Sequence, residues 1–194
     1  MNKIQIIVNN GAGTGSAVAV WKETKEYLQE NGISYNAYLT RYEKHAVKLA
    51  GQICGKIPEG PIYLLVVGGD GTINEVLNGI TDFDRVRLGV IPTGSGNDFA
   101  RNLGILRDTR EDLREITACI DQEQNGEKLQ RIDLGKVSWE GCEKPRIFGI
   151  SAGAGLDAIV CKKALHSKLK KILNRFHLGK LTYLMLTVQT LFSM

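Results

Sequence analysis

The stretch 61–79, PIYLLVVGGDGTINEVLNG, most constrains how this chain of 194 residues folds. Its apolar first part does not alternate with polar residues, which predicts a buried strand over Pro61–Gly69. A glycine-rich loop follows, and a short helix is predicted over Thr72–Ile80. A buried strand that runs through glycines into a helix is typical of a parallel sheet covered by helices.

The same unit of strand, loop and helix recurs along the chain. Further strands are predicted over 4–10, 33–40 and 87–92, and further helices over 16–31, 43–54, 108–120 and from residue 97 onward. Gly32 is predicted to end the first helix. The predicted fold class is therefore α/β, with a parallel sheet and helices on both faces. Ligands of such sheets bind at the carboxyl ends of the strands, and every glycine-rich loop falls at such an end.

The pattern changes after Asp121. Residues 132–151, IDLGKVSWEGCEKPRIFGIS, predict two strands joined by a polar turn at 140–144, and residues 167–192 predict a helix. We therefore predict an α/β domain over 1–125. Residues 126–194 are expected to form the incomplete beginning of an antiparallel β second domain with a basic helix.

The loop Gly68, Gly69, Asp70, Gly71 has the composition of a phosphate site. Glycines let a backbone approach an anion closely or adopt positive φ, and a helix N-terminus offers N–H groups and partial positive charge. A carboxylate beside phosphates needs a cation between them, so Asp70 implies Mg²⁺. Thr72 is predicted to cap the helix, with Glu75 at capping-box spacing.

Two further loops fall at strand ends. In 91–104, IPTGSGNDFARNLG, Ser95 offers a hydroxyl, Asn97 is predicted to cap the next helix, and Asp98 is spaced to pair with Arg101. In 9–17, NNGAGTGSA, the glycines approximate a dinucleotide fingerprint, but the third is one position early. That loop lacks Gly-Lys-Ser/Thr, so it is not a P-loop, and alone it is equally compatible with a plain turn.

Composition narrows the function classes. The four cysteines form no C-x-x-C pair, so we expect reduced thiols rather than a zinc site. No signal peptide or membrane-spanning run is apparent, which predicts a cytoplasmic protein. The three histidines lack metal spacing and are expected at the surface or in caps. Residues 158–194 hold seven Lys or Arg and no Asp or Glu, so the net charge of +4 arises at that end.

The motifs GGDGTINEVLNG, LGVIPTGSGNDFAR and IDLGKV with FGISAGAGLDA resemble the catalytic domain of bacterial lipid kinases related to diacylglycerol kinase. The resemblance runs from Ile4 to about Tyr183. It implies a two-domain kinase that binds Mg-ATP in a cleft and phosphorylates a lipid such as diacylglycerol. The loops and the resemblance together mark the following residues as nucleotide-binding: Asn9, Asn10, Gly11, Ala12, Gly13, Thr40, Gly68, Gly69, Asp70, Gly71, Thr72, Ile73, Asn74, Glu75 and Ser95.

This sequence departs from the family pattern in three ways. Asn9-Asn10 stands where the family usually has Asn-Pro, and residues 16–20 carry no basic side chain. The resemblance also implies that the general base and a structural metal site lie beyond Met194, so no catalytic residue is assigned and the chain is expected to be truncated. The alternatives are an ATP-binding fragment without transfer activity, or a sphingosine-type or NAD kinase on the same scaffold.

The basic segment 162–180 suggests peripheral docking at an anionic membrane through residues such as Lys168, Lys170 and Lys171. A solvated helix face is the competing interpretation. Nucleic acid is not expected as a partner, because no basic motif with interleaved aromatic residues is present.

Overall fold

The computed structural model describes residues 3–11, 16–105, 108–126 and 129–166. Chain contacts divide the protein into two compact units, Met1–Ile150 and Ser151–Met194. The first unit contains β1 (Ile4–Val8), α1 (Ser16–Glu30), β2 (Tyr35–Leu39), α2 (His45–Lys56), β3 (Ile62–Gly68), α3 (Asp70–Gly79), β4 (Val86–Pro92), α4 (Asp98–Asn102), α5 (Thr109–Gln124), β5 (Gly135–Val137) and β6 (Arg146–Phe148). The second contains α6 (Leu156–His166), which the sequence pattern did not predict. The predicted helix 167–192 lies outside the described residues.

Four strands form one parallel sheet in the order β2-β1-β3-β4. Ile7 lies beside Tyr38 and Val66, and Val66 lies beside Val90. Every residue of β1 and β3 is buried. Burial on both faces is why β3 is an unbroken apolar run, whereas β1 includes the buried polar residue Gln5. The predicted parallel sheet is confirmed.

Helices cover both faces of this sheet, as predicted. On one face Leu64 and Val66 belong to a core cluster with residues of α2 and α3. On the other face Leu65 and Val67 belong to a cluster with residues of α1 and α5, including Trp21. Alternate residues of β3 thus pack into the hydrophobic clusters on opposite faces of the sheet, because successive side chains of a strand point to opposite faces.

Helix α2 packs unusually close to α3. A Cβ added to Gly79 would lie 2.1 Å from the backbone oxygen of Val47 and 2.9 Å from Cβ of Ala50. Only glycine fits this contact. The close approach brings the first turns of α2 against the C-terminal end of α3.

The short strands β5 and β6 pair as an antiparallel hairpin, as predicted, with Gly135 opposite Phe148. This hairpin docks on α3 through Asn78. The Asn78 side chain donates to the Ile147 carbonyl oxygen at 2.8 Å and accepts from the Ile147 N–H at 3.0 Å. The hairpin therefore lies within the first compact unit. The domain boundary at residue 125 stays a prediction.

Candidate nucleotide site

The loops singled out in the sequence meet at one edge of the sheet. Backbone hydrogen bonds continue the strand pairing past the last strand residues: Asn9 N–H donates to Val67 (2.9 Å), and Thr40 N–H donates to Val8 (2.9 Å). Thr93 N–H likewise donates to Gly68 at 3.1 Å. The segments that follow β1, β2, β3 and β4 are therefore neighbours at the carboxyl edge, where ligands of α/β sheets bind.

The glycines of the loop after β3, Gly68, Gly69 and Gly71, do not adopt positive φ, and Gly68 and Gly69 allow neighbouring atoms to approach the backbone closely. None of Gly68, Gly69 and Gly71 has a positive φ, which corrects one of the two reasons given for them above. A Cβ on Gly68 would lie 2.8 Å from Cβ of Thr72, and a Cβ on Gly94 would lie 2.9 Å from Cα of Gly69. The loops after β3 and β4 are therefore in backbone contact. A Cβ on Gly71 would meet none of the described residues within 4 Å, so that face of the loop is open toward them.

Asp70 links these two loops. It is the first residue of α3, and its carboxylate accepts hydrogen bonds from the N–H groups of Asp98 and Phe99, both at 3.1 Å. Asp70 thus caps α4, although it is 28 residues away from the helix start.

Asn97 stands at the N-cap position of α4 but does not cap it with its side chain, contrary to the sequence prediction. Its backbone is left-handed, with φ of 53°. Its side chain instead accepts from the Gly94 N–H at 2.8 Å and donates to the Gly94 oxygen at 2.9 Å. Asparagine tolerates this backbone conformation, and the two bonds close the loop 94–97.

The predicted pairing of Asp98 with Arg101 is confirmed. The guanidinium donates to Asp98 at 2.7 Å and to the Gly96 oxygen at 2.9 Å. A Cβ on Gly96 would lie 3.1 Å from Oδ2 of Asp70 and 3.5 Å from Oδ2 of Asp98. Two carboxylates therefore flank the same glycine, and carboxylate oxygens are ligands that Mg²⁺ accepts.

The capping box predicted for Thr72 and Glu75 is wrong. Helix α3 begins at Asp70 with Gly69 as its N-cap, so Thr72 lies inside the first turn and is buried. Its hydroxyl accepts a hydrogen bond from the Asn9 side chain at 2.9 Å and so joins the loops after β1 and β3.

Glu75 caps a different helix, α2. Its carboxylate accepts from the N–H groups of Lys44 (3.0 Å) and Ala46 (3.2 Å). The close packing of α2 on α3 makes this reach available. His45, the first residue of α2, accepts from the Arg41 N–H at 3.1 Å and so holds the loop before α2 rather than capping a helix.

The remaining predicted residues differ in their access to a ligand. Ser95 and Gly11 are exposed, and Asn10, Thr40 and Asn74 are half-buried. The Ile73 side chain belongs to the core, so only its backbone remains for a ligand. Ala12 and Gly13 lie outside the described residues, as do Lys168, Lys170 and Lys171.

Thr93 was missed in the sequence. It is 5% exposed, and its hydroxyl has no hydrogen-bond partner among the described residues, as is also true of Oδ1 of Asn10. Buried hydroxyl groups normally have a hydrogen-bond partner, so an unpaired one at the carboxyl edge of the sheet indicates a place where a ligand can bind. Strand alternation through β4 could have identified this inward position.

Metal clusters and membrane-spanning helices are absent from the described ranges. No cluster of three or more His, Cys, Asp or Glu side chains suited to a metal occurs among the described residues. None of the helices within those ranges has the length and apolarity to cross a membrane.

A parallel sheet with contacting glycine-rich loops at its carboxyl edge defines an α/β protein built to bind a ligand there. The model of the family described as "Diacylglycerol kinase catalytic domain" matches residues 3–137. The chain belongs to this family.

Individual relatives agree with the family match. "Putative lipid kinase YtlR" of Bacillus subtilis is 32% identical over 180 residues, which cover 91% of this chain and 55% of that protein. "Diacylglycerol kinase" of Bacillus subtilis is 36% identical over 144 residues, covering 72% of this chain and 41% of that protein. A solved structure of a diacylglycerol kinase from Bacillus anthracis matches with a TM-score of 0.50 and 28% identity, covering 60% of this chain and 39% of that one. The chain spans about half the length of these relatives.

Proposed function

We propose that this chain carries the nucleotide-binding part of a lipid kinase that transfers the γ-phosphoryl group of ATP to a lipid hydroxyl, with diacylglycerol as the acceptor class. Family membership supports the reaction type. The single observation that carries the nucleotide assignment is the N-terminus of α3, where no described residue would contact a Cβ on Gly71, and where Gly69, two residues before it, contacts the Gly94 loop.

The first turn of α3 supplies the phosphate contacts in this proposal. The N–H groups of Asp70 and Gly71 precede the first hydrogen bonds of α3 and have no acceptor within the helix. Those of Thr72 and Ile73 already donate to the Gly69 oxygen, at 2.9 and 3.1 Å. Two N–H groups without an acceptor in the helix, at the positive end of its dipole, suit a phosphate.

Asp70 and Asp98 are the residues that would hold Mg²⁺, since their carboxylates flank Gly96. Mg²⁺ bound with ATP would offset the charge that develops on the transferred phosphoryl group. The protein's own contribution is positioning: the Asn9–Thr72 hydrogen bond joins the loops after β1 and β3, and the Asp70 carboxylate joins the loops after β3 and β4. Positioning and electrostatics carry most of the catalysis in phosphoryl transfer. We assign no general base to the described residues.

A lipid acceptor requires contact with the membrane surface. We assign that contact to the basic segment 162–180 at the cytoplasmic face, where each Lys or Arg close to anionic lipid contributes about 1 kcal/mol. Neutralising Lys168, Lys170 and Lys171 should reduce sedimentation with phosphatidylserine vesicles. Unchanged sedimentation would remove this part of the proposal.

Two matched glycine variants test the nucleotide site. Gly71 in α3 and Gly55 in α2 are both helical, and a Cβ at either position meets nothing within 4 Å. Both alanine variants should therefore fold at least as stably as the original chain, since alanine stabilises a helix by roughly 0.5–1 kcal/mol relative to glycine. Only Gly71→Ala should weaken Mg-ATP binding, because its methyl group occupies the face that the phosphates approach.

Titration calorimetry with Mg-ATP measures the affinity. The reaction is measured as transfer of label from γ-labelled ATP to an acceptor. Separate samples contain micelles with diacylglycerol, micelles with sphingosine or micelles without an acceptor lipid, and NAD is added as a competing acceptor. Equal ATP affinity in the two variants would overturn the assignment of the phosphates to α3. Labelling of sphingosine or NAD in place of diacylglycerol would overturn the acceptor class.

A further inference from the structure

The loop between β2 and α2 presents an aromatic ring at the edge of the candidate site. Tyr42 follows Thr40 by two residues and is 58% exposed. Its ring stacks on the His45 ring, with centroids 4.4 Å apart and planes inclined by 23°. One face of the tyrosine is therefore covered and the rest of the ring is open to solvent.

This loop is held in place by hydrogen bonds along its length. Thr40 N–H donates to Val8 of β1, Arg41 N–H donates to the His45 ring at 3.1 Å, and His45 N–H donates to the Tyr42 oxygen at 3.2 Å. Lys44 N–H donates to Glu75 of α3 at 3.0 Å. Because α3 also carries Asp70 and Gly71 at its N-terminus, Tyr42 is fixed relative to the proposed phosphate contacts.

The backbone of the loop is also strained. Lys44 is left-handed, with φ of 66°, a conformation that costs a non-glycine residue roughly 1–3 kcal/mol and persists where its surroundings enforce it. A single exposed tyrosine is ordinary on a protein surface. Tyr42 differs from such a residue because several hydrogen bonds and a strained backbone hold its loop in place beside the proposed nucleotide site.

We propose that Tyr42 stacks on the base of the bound nucleotide. This inference rests on the proposed function and adds a residue that selects for a nucleoside rather than a bare polyphosphate. The sheet order places β2 two strand spacings from β3, or about 10 Å. A nucleotide whose phosphates lie at α3 extends its base along the edge, across β1 toward β2, where the Tyr42 ring lies.

Comparison of two ligands separates the base from the phosphates. Alanine in place of Tyr42 should weaken Mg-ATP binding by roughly 5- to 150-fold, the range found when stacking residues are removed. Binding of Mg-tripolyphosphate, which has no base, should not change. Tyr42→Phe should bind ATP as the original chain does. Phe83→Ala is the matched control, since Phe83 is 43% exposed in the loop that precedes β4, at the opposite edge of the sheet.

Tyr42→Trp gives a second readout that does not depend on a loss of affinity, since the new tryptophan adds fluorescence at the proposed stacking position. ATP should quench this added fluorescence, and tripolyphosphate should not. If the unaltered chain binds ATP and tripolyphosphate but Tyr42→Ala binds ATP equally well, the stacking proposal is wrong and the nucleotide site stands. If the unaltered chain binds neither ligand, the proposed function fails, and the stacking inference fails with it.

Discussion

Asp70 caps helix α4, and this structural role can be measured separately from the proposed binding of Mg-ATP. Both carboxylate oxygens accept hydrogen bonds from the N-terminus of α4, at Asp98 and Phe99. Removal of an N-cap side chain costs ~0.5–2 kcal/mol, and the favourable charge at a helix N-terminus adds ~0.3–1 kcal/mol. We therefore expect Asp70→Ala to lose about 1–2 kcal/mol of unfolding free energy.

Asp70→Asn should lose less, about 0.5–1 kcal/mol, because the amide keeps one acceptor oxygen and loses only the charge and the second acceptor. For a chain of this size each kcal/mol lowers the melting temperature by roughly 2–4 °C. The alanine variant should thus melt about 2–8 °C below the original chain, with the asparagine variant between them.

Urea unfolding followed by circular dichroism measures the stability, and amide exchange at Asp98 and Phe99 reports the cap directly. Both variants should lose Mg-dependent ATP affinity, since neither carries the carboxylate. Glu26→Ala serves as the control because it breaks an exposed ion pair with Lys22 in α1, worth about 0–1 kcal/mol, and should leave ATP affinity unchanged. Equal stability of all three Asp70 forms, with unchanged exchange at Phe99, would refute the capping role.

Three further predictions concern contacts away from Asp70. Lys44→Gly should raise the unfolding free energy by up to ~1 kcal/mol, because it relieves the left-handed backbone at φ of 66°; a lower stability in urea would contradict this. Asn78→Ala should cost about 1–3 kcal/mol by leaving the Ile147 N–H and carbonyl unpaired, and amide exchange at Ile147 should accelerate. The hydrogen bond from Arg110 lowers the pKa of Glu30, so this contact stabilises the protein at neutral pH and the benefit is lost as pH falls through the lowered pKa. Glu30→Gln should therefore be less stable than the original chain at pH 7 and equal to it in acid, and a gap that stays constant with pH would argue against the pairing.

Much of the fold could be predicted from the sequence because the patterns that determine strands, helices and helix ends are local. The unbroken apolar run of β3 predicted burial on both faces, and this strand is fully buried. Gly32 was predicted to end α1, and it has a left-handed φ of 63° just after the helix ends at Glu30. The Asp98–Arg101 pair depends only on helical spacing. Each of these features is decided by residues within a few positions of one another.

The detailed roles of the site residues were decided by the tertiary structure. Sequence spacing assigned caps to neighbouring acceptors, yet α4 is capped by Asp70 from 28 residues away and α2 by Glu75 from 31 residues away. Asn9 reaches Thr72 across 63 residues, and Asn78 reaches Ile147 across 69. The physical reason is that an unpaired N–H group can donate to any well-placed oxygen, and the folded chain brings up acceptor oxygens from distant residues that no local pattern reveals. The sequence by itself determined which loops meet at the edge of the sheet, whereas the packing of α2, α3 and α4 decided which side chain serves which loop.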